Sequence, residues 1–389
     1  MIHTVPKTRC RASRGQAWLA LLPLLLLAWP AQAFDTAARE AILIDFDTGA
    51  VLLDKNADTP APPASMSKLM TIYMVFERLK AGTLTLDDPL PVSEKAWRTG
   101  GSKMFVKVDT NVTVGDLLQG IIVQSGNDAC VVVAEALAGS EQAFAQKMTE
   151  RAREIGLTNS AFTNSYGWPD PGHYMSPRDL AHLTERLIRD FPDYFHFFAE
   201  TEFTYNGIKQ GNRNPLLYKE GLGADGMKTG HTEDAGYSLT ATAEREGRRL
   251  ILVITGLGSV SDRSAEAERI LNWGFRDTRN YALFKAGETV AEAPVWLGEE
   301  ARVPLVIVDP LVVTLRRDSR DDMRVAVVAD APVPAPIVAG TRLATLTVTA
   351  PEAQPVQVPL VAGADVGQLG VVARLLSALR YLVFGPPTS

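Results

Sequence analysis

The chain has little cysteine and histidine: its 389 residues include two cysteines and five histidines. Cys10 lies in the N-terminal segment, so Cys130 has no partner for an internal disulfide. A chain this long buries enough apolar surface to do without that cross-link. Cys130 sits in an apolar helical run with Val131, Val132 and Val133, and is expected to be a buried structural residue rather than a reactive thiol. His173, His182, His196 and His231 show no His-Glu-x-x-His spacing, which sets aside a metalloprotease and predicts no metal site. His173 falls in a loop rich in Asn, Gly and Pro, residues 163–177, and is expected on that loop's surface. Positive charge is also scarce, with 39 Lys+Arg against 45 Asp+Glu for a net charge of −6, which argues against a nucleic-acid partner. No apolar run spans a bilayer comfortably; that from Trp18 to Pro30 is short and interrupted by Pro23.

What is present at the N-terminus is an address. Lys7, Arg9, Arg11 and Arg14 precede the apolar stretch, and Ala31-Gln32-Ala33 follows it as a small-residue cleavage site. Residues 1–33 are therefore expected to be a signal peptide, with an uncleaved anchor as the alternative. Its loss removes four of the basic residues and no acid, leaving 35 Lys+Arg against 45 Asp+Glu, a charge of −10 on 356 residues. That length favours two domains.

The first, 34–276, is expected to be α+β. Ala41 to Ile44 and Val51 to Leu53 flank Asp47-Thr48-Gly49 as a hairpin. Met66 to Leu79 is apolar almost all round and predicts a buried helix. Residues 113–185 are helix-rich. Gly236 to Ala243 and Arg249 to Leu257 are predicted strands, followed by a helix over 262–274. Helices on an antiparallel sheet result. Residues 283–363 alternate short apolar runs with Pro-rich turns, the pattern of a small all-β domain. In the tail, 364–389, Val372, Leu375, Leu376, Leu379, Leu382 and Val383 share one helical face. That predicts an amphipathic helix lying on a membrane surface, or else packed on the β domain.

Three short motifs, each occurring once, carry the chemistry: Ser65-Met66-Ser67-Lys68, Ser125-Gly126-Asn127 and Lys228-Thr229-Gly230. A serine hydroxyl needs a base to become a nucleophile. Ser65 and Lys68, three apart on a helix, share a face, so a neutral Lys68 amine can be that base. Burial and a second cation, Lys228, would lower its pKa. A helix N-terminus at Ser65 would place N–H groups near a developing oxyanion. Ser125 can relay a proton to the leaving amine, and Asn127 can hydrogen-bond Lys68 or a substrate amide. The third motif is expected at the start of a strand, where Gly230 lets a substrate backbone approach and His231 supplies a second oxyanion N–H. No cofactor is called for.

Together these motifs resemble those of β-lactamases and penicillin-binding proteins. The chain is similar to low-molecular-mass penicillin-binding proteins of the D-alanyl-D-alanine carboxypeptidase type. The stretches that carry the likeness are Pro63 to Thr71, Gly101 to Phe105, Ser125 to Ala129 and Lys228 to Thr232, with Gly236-Tyr237, Arg263 and Glu266. The resemblance implies a β-lactamase/transpeptidase-like catalytic domain in which Ser65 is acylated by the penultimate D-alanine of a peptidoglycan stem peptide. It implies that Lys68 is the base, that Ser125 and Asn127 assist, and that Lys228 tunes Lys68. Thr229 and Arg263 would hold the terminal carboxylate, and the N–H groups of Ser65 and His231 would form the oxyanion hole. β-Lactams would acylate Ser65. The protein would work in the periplasm, attached to the outer face of the inner membrane through its tail. Ser67 and Trp168 stand where threonine and leucine are expected. No Glu-x-x-Leu-Asn segment follows the second motif, which speaks against a β-lactamase. The alternatives are a D,D-endopeptidase or β-lactamase of the same fold, and a non-catalytic envelope-binding protein.

Overall fold

A computed structural model describes residues 34–376 except Asp330. The expected signal peptide and the tail beyond residue 376 lie outside the described residues.

The N-terminal region is built on a five-stranded antiparallel sheet. Its strands are β1 (Glu40–Asp45), β2 (Val51–Lys55), β3 (Ala224–Thr232), β4 (Gly236–Arg245) and β5 (Arg248–Leu257). Their order across the sheet is β2-β1-β5-β4-β3, and every neighbouring pair is antiparallel. The predicted hairpin is β1 and β2. Leu250 to Ile254 are all buried, because β5 is covered on both faces, which is why its sequence is a continuous apolar run rather than an alternating one. On one face, Ile251 and Val253 join Leu180, Leu183 and Leu187 of the helix Pro177–Asp190 in the main core. On the other, the helix Val260–Asp277 packs so closely that a Cβ on Gly274 would lie 2.7 Å from Leu43 and 2.8 Å from Leu250.

The helix Lys68–Lys80 (α1) runs through the main core. Leu69, Met70, Ile72, Tyr73, Val75, Phe76 and Leu79 are buried, as its all-round apolar sequence predicts. Helices Val114–Ile122, Asn127–Ala138 and Glu141–Glu154 pack in the same core. Cys130 is buried, and burial pushes its thiol up to about 12, so it is inert at neutral pH.

Asp45 joins this sheet to the C-terminal region. It is fully buried, accepts from Arg248 Nε at 2.7 Å and from Asn280 Nδ2 at 3.2 Å, while Arg248 also donates to the Thr278 carbonyl at 2.9 Å. The C-terminal region is all-β. A six-stranded sheet contains Arg324–Ala329, Arg342–Thr349, Val356–Ala362, Arg302–Ile307, Thr289–Trp296 and Val333–Pro334, in that order. A further pair joins Thr278–Phe284 to Leu311–Arg316. Thr278–Phe284 begins in the stretch between the two expected domains; it follows the preceding helix without a break, so no turn marks its start. Residues 371–376 are helical, and Val371, Val372, Leu375 and Leu376 are exposed. Among the described residues, no helix is long and apolar enough to cross a membrane.

Candidate active site

The segment that carries the first motif is not a simple α-helix start. Ala64–Ser67 form a 3-10 turn that runs directly into α1. Ala64 sits at φ +48°, a left-handed conformation that L-residues adopt at some cost. The turn places Ser65, half-buried, at the surface of the core, with Lys68 fully buried beneath it. The Ser65 amide lies in the first turn, where helix N–H groups lack intrahelical partners and are available to an oxyanion.

Lys68 Nζ lies 2.7 Å from Ser65 Oγ and donates to the Tyr166 carbonyl at 2.6 Å. That carbonyl fixes the amine while its remaining lone pair, once the nitrogen is neutral, faces the serine hydroxyl. Burial lowers the Lys68 pKa to about 8, helped by the Arg213 guanidinium and opposed by Cys130 and Asp128. Lys228 is also buried, donates to the Thr229 carbonyl at 3.2 Å, and is held well below its ordinary value by burial and then by Lys68. Two ammonium groups in this dry space oppose each other. Arg213 also lowers the Lys68 pKa, and burial drives Lys228 itself toward the neutral form.

The second motif lies at the N-terminus of the helix Asn127–Ala138. Ser125 adopts φ +62°, and its Oγ is buried without a hydrogen-bond partner among the described residues. Asn127 Nδ2 donates to the Gly100 carbonyl at 2.8 Å, tying the motif to the 100–106 segment rather than to Lys68. Asp128 completes that tie. It is fully buried and accepts from the N–H groups of Met104, Phe105 and Val106 at 3.0, 2.9 and 3.2 Å. Such charge-assisted bonds contribute roughly 1.5–3 kcal/mol each. Sequence reasoning gave Asp128 no role.

The third motif lies in the middle of β3, not at its start. The residues before it, Ala224-Asp225-Gly226, lack apolar alternation, so the strand's first half left no signal. β3 is the edge of the five-stranded sheet, so one row of its backbone groups is open to an extended peptide. Gly230 serves the protein's own packing: a Cβ there would lie 2.8 Å from the Pro63 carbonyl and 3.1 Å from Met66. Any side chain would push β3 off the Ser65 turn. Thr229 is buried, and the exposed His231 stacks its ring on Tyr237 at 4.0 Å between centroids.

Arg263, from the helix Val260–Asp277, is buried; its Nη2 contacts the Arg213 carbonyl at 3.5 Å and its guanidinium lies 5.9 Å from the Tyr237 ring centroid. Its Nε is buried without a hydrogen-bond partner among the described residues. Arg213 donates to Ser102 Oγ at 2.6 Å. Among the described residues neither arginine forms an ion pair with a carboxylate. Burial lowers both pKa values from the ordinary guanidinium range. Two desolvated guanidiniums without acids have the charge and donors to receive an anion. Arg213 escaped the sequence reading because a lone arginine in Gly-Asn-Arg-Asn has no pattern around it.

The 163–177 loop floors the site. His173 is buried rather than exposed: its Nδ1 accepts from the Thr163 N–H at 3.2 Å, and burial lowers its pKa to about 4, keeping it neutral. Gly167, at φ +85°, admits no side chain, since a Cβ would meet the Ala64 carbonyl at 1.9 Å.

Residues 28–258 match the family model described as D-alanyl-D-alanine carboxypeptidase, and 279–368 match that of the penicillin-binding protein 5 C-terminal domain. The chain is 40% identical over 297 residues to D-alanyl-D-alanine carboxypeptidase DacA of Escherichia coli (strain K12), covering 75% of this chain and 74% of the relative. It is 35% identical over 353 residues to DacA of Haemophilus influenzae, covering 90% of each. Among solved structures, penicillin binding protein 5 from Haemophilus influenzae superimposes with a TM-score of 0.78 at 34% identity, covering 86% of this chain and 99% of that one. Penicillin-Binding Protein D2 from Listeria monocytogenes, in its ampicillin-bound form, does so with a TM-score of 0.56 at 29% identity, over 61% of this chain and 98% of that one.

Proposed function

The chain belongs to the D-alanyl-D-alanine carboxypeptidase family and carries the C-terminal domain of penicillin-binding protein 5, and from that membership we propose how its own residues perform the reaction. It is a serine-type carboxypeptidase that removes the terminal D-alanine from peptidoglycan pentapeptides. The observation that carries the residue assignment is Lys68 Nζ, buried and 2.7 Å from Ser65 Oγ.

In this reading the stem peptide lies extended along β3 with its terminal carboxylate on Thr229, Arg263 and Arg213. Neutral Lys68 takes the Ser65 proton as Oγ attacks the penultimate D-alanine carbonyl, and the N–H groups of Ser65 and His231 hold the oxyanion. Ser125 relays the proton that Lys68 took to the departing nitrogen, so D-alanine leaves as a neutral amine and Lys68 is neutral again. Asn127 holds the amide on the acyl side, and Lys228, buried beside the site, donates to the Thr229 carbonyl and fixes that part of β3. Water then attacks the ester and restores Ser65. A β-lactam follows the same first step, its ring amide opening onto Ser65.

The parent is expected to release D-alanine from an acylated pentapeptide ending in D-Ala-D-Ala. Arg263→Ala is expected to raise KM roughly tenfold to a hundredfold, the scale of a charge-assisted hydrogen bond, with a smaller change in kcat. An unchanged KM would remove Arg263 from the carboxylate site.

Residues 1–33 act as the export signal, 34–276 as the catalytic domain and 283–363 as the β domain. The tail, 364–389, rests on the outer face of the inner membrane. The exposed apolar side chains of Val371, Val372, Leu375 and Leu376 support that placement over packing on the β domain. Deleting the residues after Gly367 is expected to move the protein from the membrane fraction to the soluble periplasm. Unchanged fractionation would assign the tail to packing.

A further inference from the structure

Arg213 stands in its loop between two buried asparagines, Asn212 and Asn214. Their side chains shape that loop. Asn212 Oδ1 accepts from the Asn214 N–H at 2.9 Å, and Asn214 Oδ1 accepts from the Leu216 N–H at 3.1 Å, so two Asx turns follow one another. The same two amides tie the loop to its surroundings. Asn212 Nδ2 donates to the Glu200 carbonyl at 2.8 Å, and the Asn212 N–H donates to the Thr201 carbonyl at 2.7 Å. Asn214 Nδ2 donates to the Gly226 carbonyl at 2.8 Å.

The last of these bonds joins two parts of the site. Gly226 lies in β3, two residues before Lys228 and three before Thr229. One bond from Asn214 therefore sets the backbone of Arg213 against the strand that carries the third motif. The far end of the Arg213 side chain is held at Ser102, whose Oγ accepts from Nη1 at 2.6 Å. A guanidinium on a long, flexible side chain binds a carboxylate at a smaller ordering cost when its root is fixed. Asn214 is 1% exposed and both ends of its amide are engaged, so it can act on a substrate only through its neighbour.

We propose that Asn214 is a positioning residue: its side-chain amide locks the Arg213 loop to β3, so that Arg213 and Thr229 meet one substrate carboxylate in fixed register. The proposal rests on the carboxypeptidase reading above, in which both residues hold the terminal carboxylate. A loop tie with no part in recognition would change stability without acting on KM through Arg213.

The test measures D-alanine release from an acylated pentapeptide ending in D-Ala-D-Ala by the parent, Asn214→Ser, Arg213→Ala and the double variant. A serine hydroxyl can still accept from the Leu216 N–H but is too short to reach the Gly226 carbonyl. Asn214→Ser is expected to raise KM about threefold to tenfold, the scale of one lost hydrogen bond, with kcat within about twofold of the parent. In the Arg213→Ala background the same substitution is expected to leave KM unchanged, because the group it positions is gone. If the serine variant does not fold, Asn214→Thr takes its place in the same cycle. An unchanged KM in Asn214→Ser, or a rise of equal size in both backgrounds, would overturn the positioning role alone. So would a variant that loses only thermal stability and kcat, or a parental KM in Arg213→Ala. Release of no D-alanine by the parent would overturn the carboxypeptidase reading and the positioning role with it.

Discussion

Ser65→Ala is expected to lower D-alanine release on the order of a millionfold, to the background left by binding and oxyanion donors alone. The fold should survive, because Ser65 is half-buried and its hydroxyl is bonded to Lys68 alone among the described residues. The hydrogen bonds that fix the turn come from Ser67, whose Oγ donates to the Ala64 carbonyl, and from the Met66 N–H to the Pro63 carbonyl. Circular dichroism and the thermal midpoint of Ser65→Ala should therefore match the parent. A variant that folds and still releases D-alanine at a tenth of the parental rate would remove Ser65 from the mechanism.

Lys68→Ala is the second large effect. Loss of a positioned general base costs about a hundredfold to ten-thousandfold. The parent's pH profile carries the same information with a sign. In the proposed mechanism Lys68 works as a neutral amine, and its pKa is lowered to about 8 by burial. Acylation, read as kcat/KM or as the rate of penicillin trapping, should therefore rise with pH through about 8 and level off above it. The lysine is protonated and inactive on the acid side. Arg213 helps lower that pKa, so Arg213→Ala should move the inflection upward. A profile flat between pH 6 and 9 would contradict the role given to Lys68.

How far the sequence revealed this site depended on whether the chemistry lies in side chains close together along the chain. Ser65 with Lys68, and Ser125 with Asn127, are contiguous and could be read from spacing. α1 was readable because residues 69–76 are apolar on every side, which a surface helix would not be. β4 and β5 were readable as apolar runs separated by a polar turn. The carbonyl of Tyr166, which holds Lys68, had no signature at all, since any residue supplies a carbonyl. Arg213 reaches the site from a loop with no periodicity. His173 was placed on the surface by the composition of its loop, whereas the loop folds inward and pays for the buried imidazole with a hydrogen bond from Thr163. Gly230 was assigned to the substrate, but its closest neighbours are Pro63 and Met66, brought there from more than 160 positions away along the chain. In each of these cases the information is in the tertiary arrangement.

The central claim is that Ser65, and no other hydroxyl of the cleft, forms the acyl-enzyme. Ser125 is the competing nucleophile, being buried in the same site with an Oγ that has no hydrogen-bond partner among the described residues. The most direct measurement is to trap the full-length protein with a β-lactam, digest it, and locate the added mass by tandem mass spectrometry. The mass should fall on Ser65, within the peptide that contains Lys68 or ends at it, and should be missing from Ser65→Ala. An adduct on Ser125 or Ser67, or one that persists in Ser65→Ala, would contradict the account.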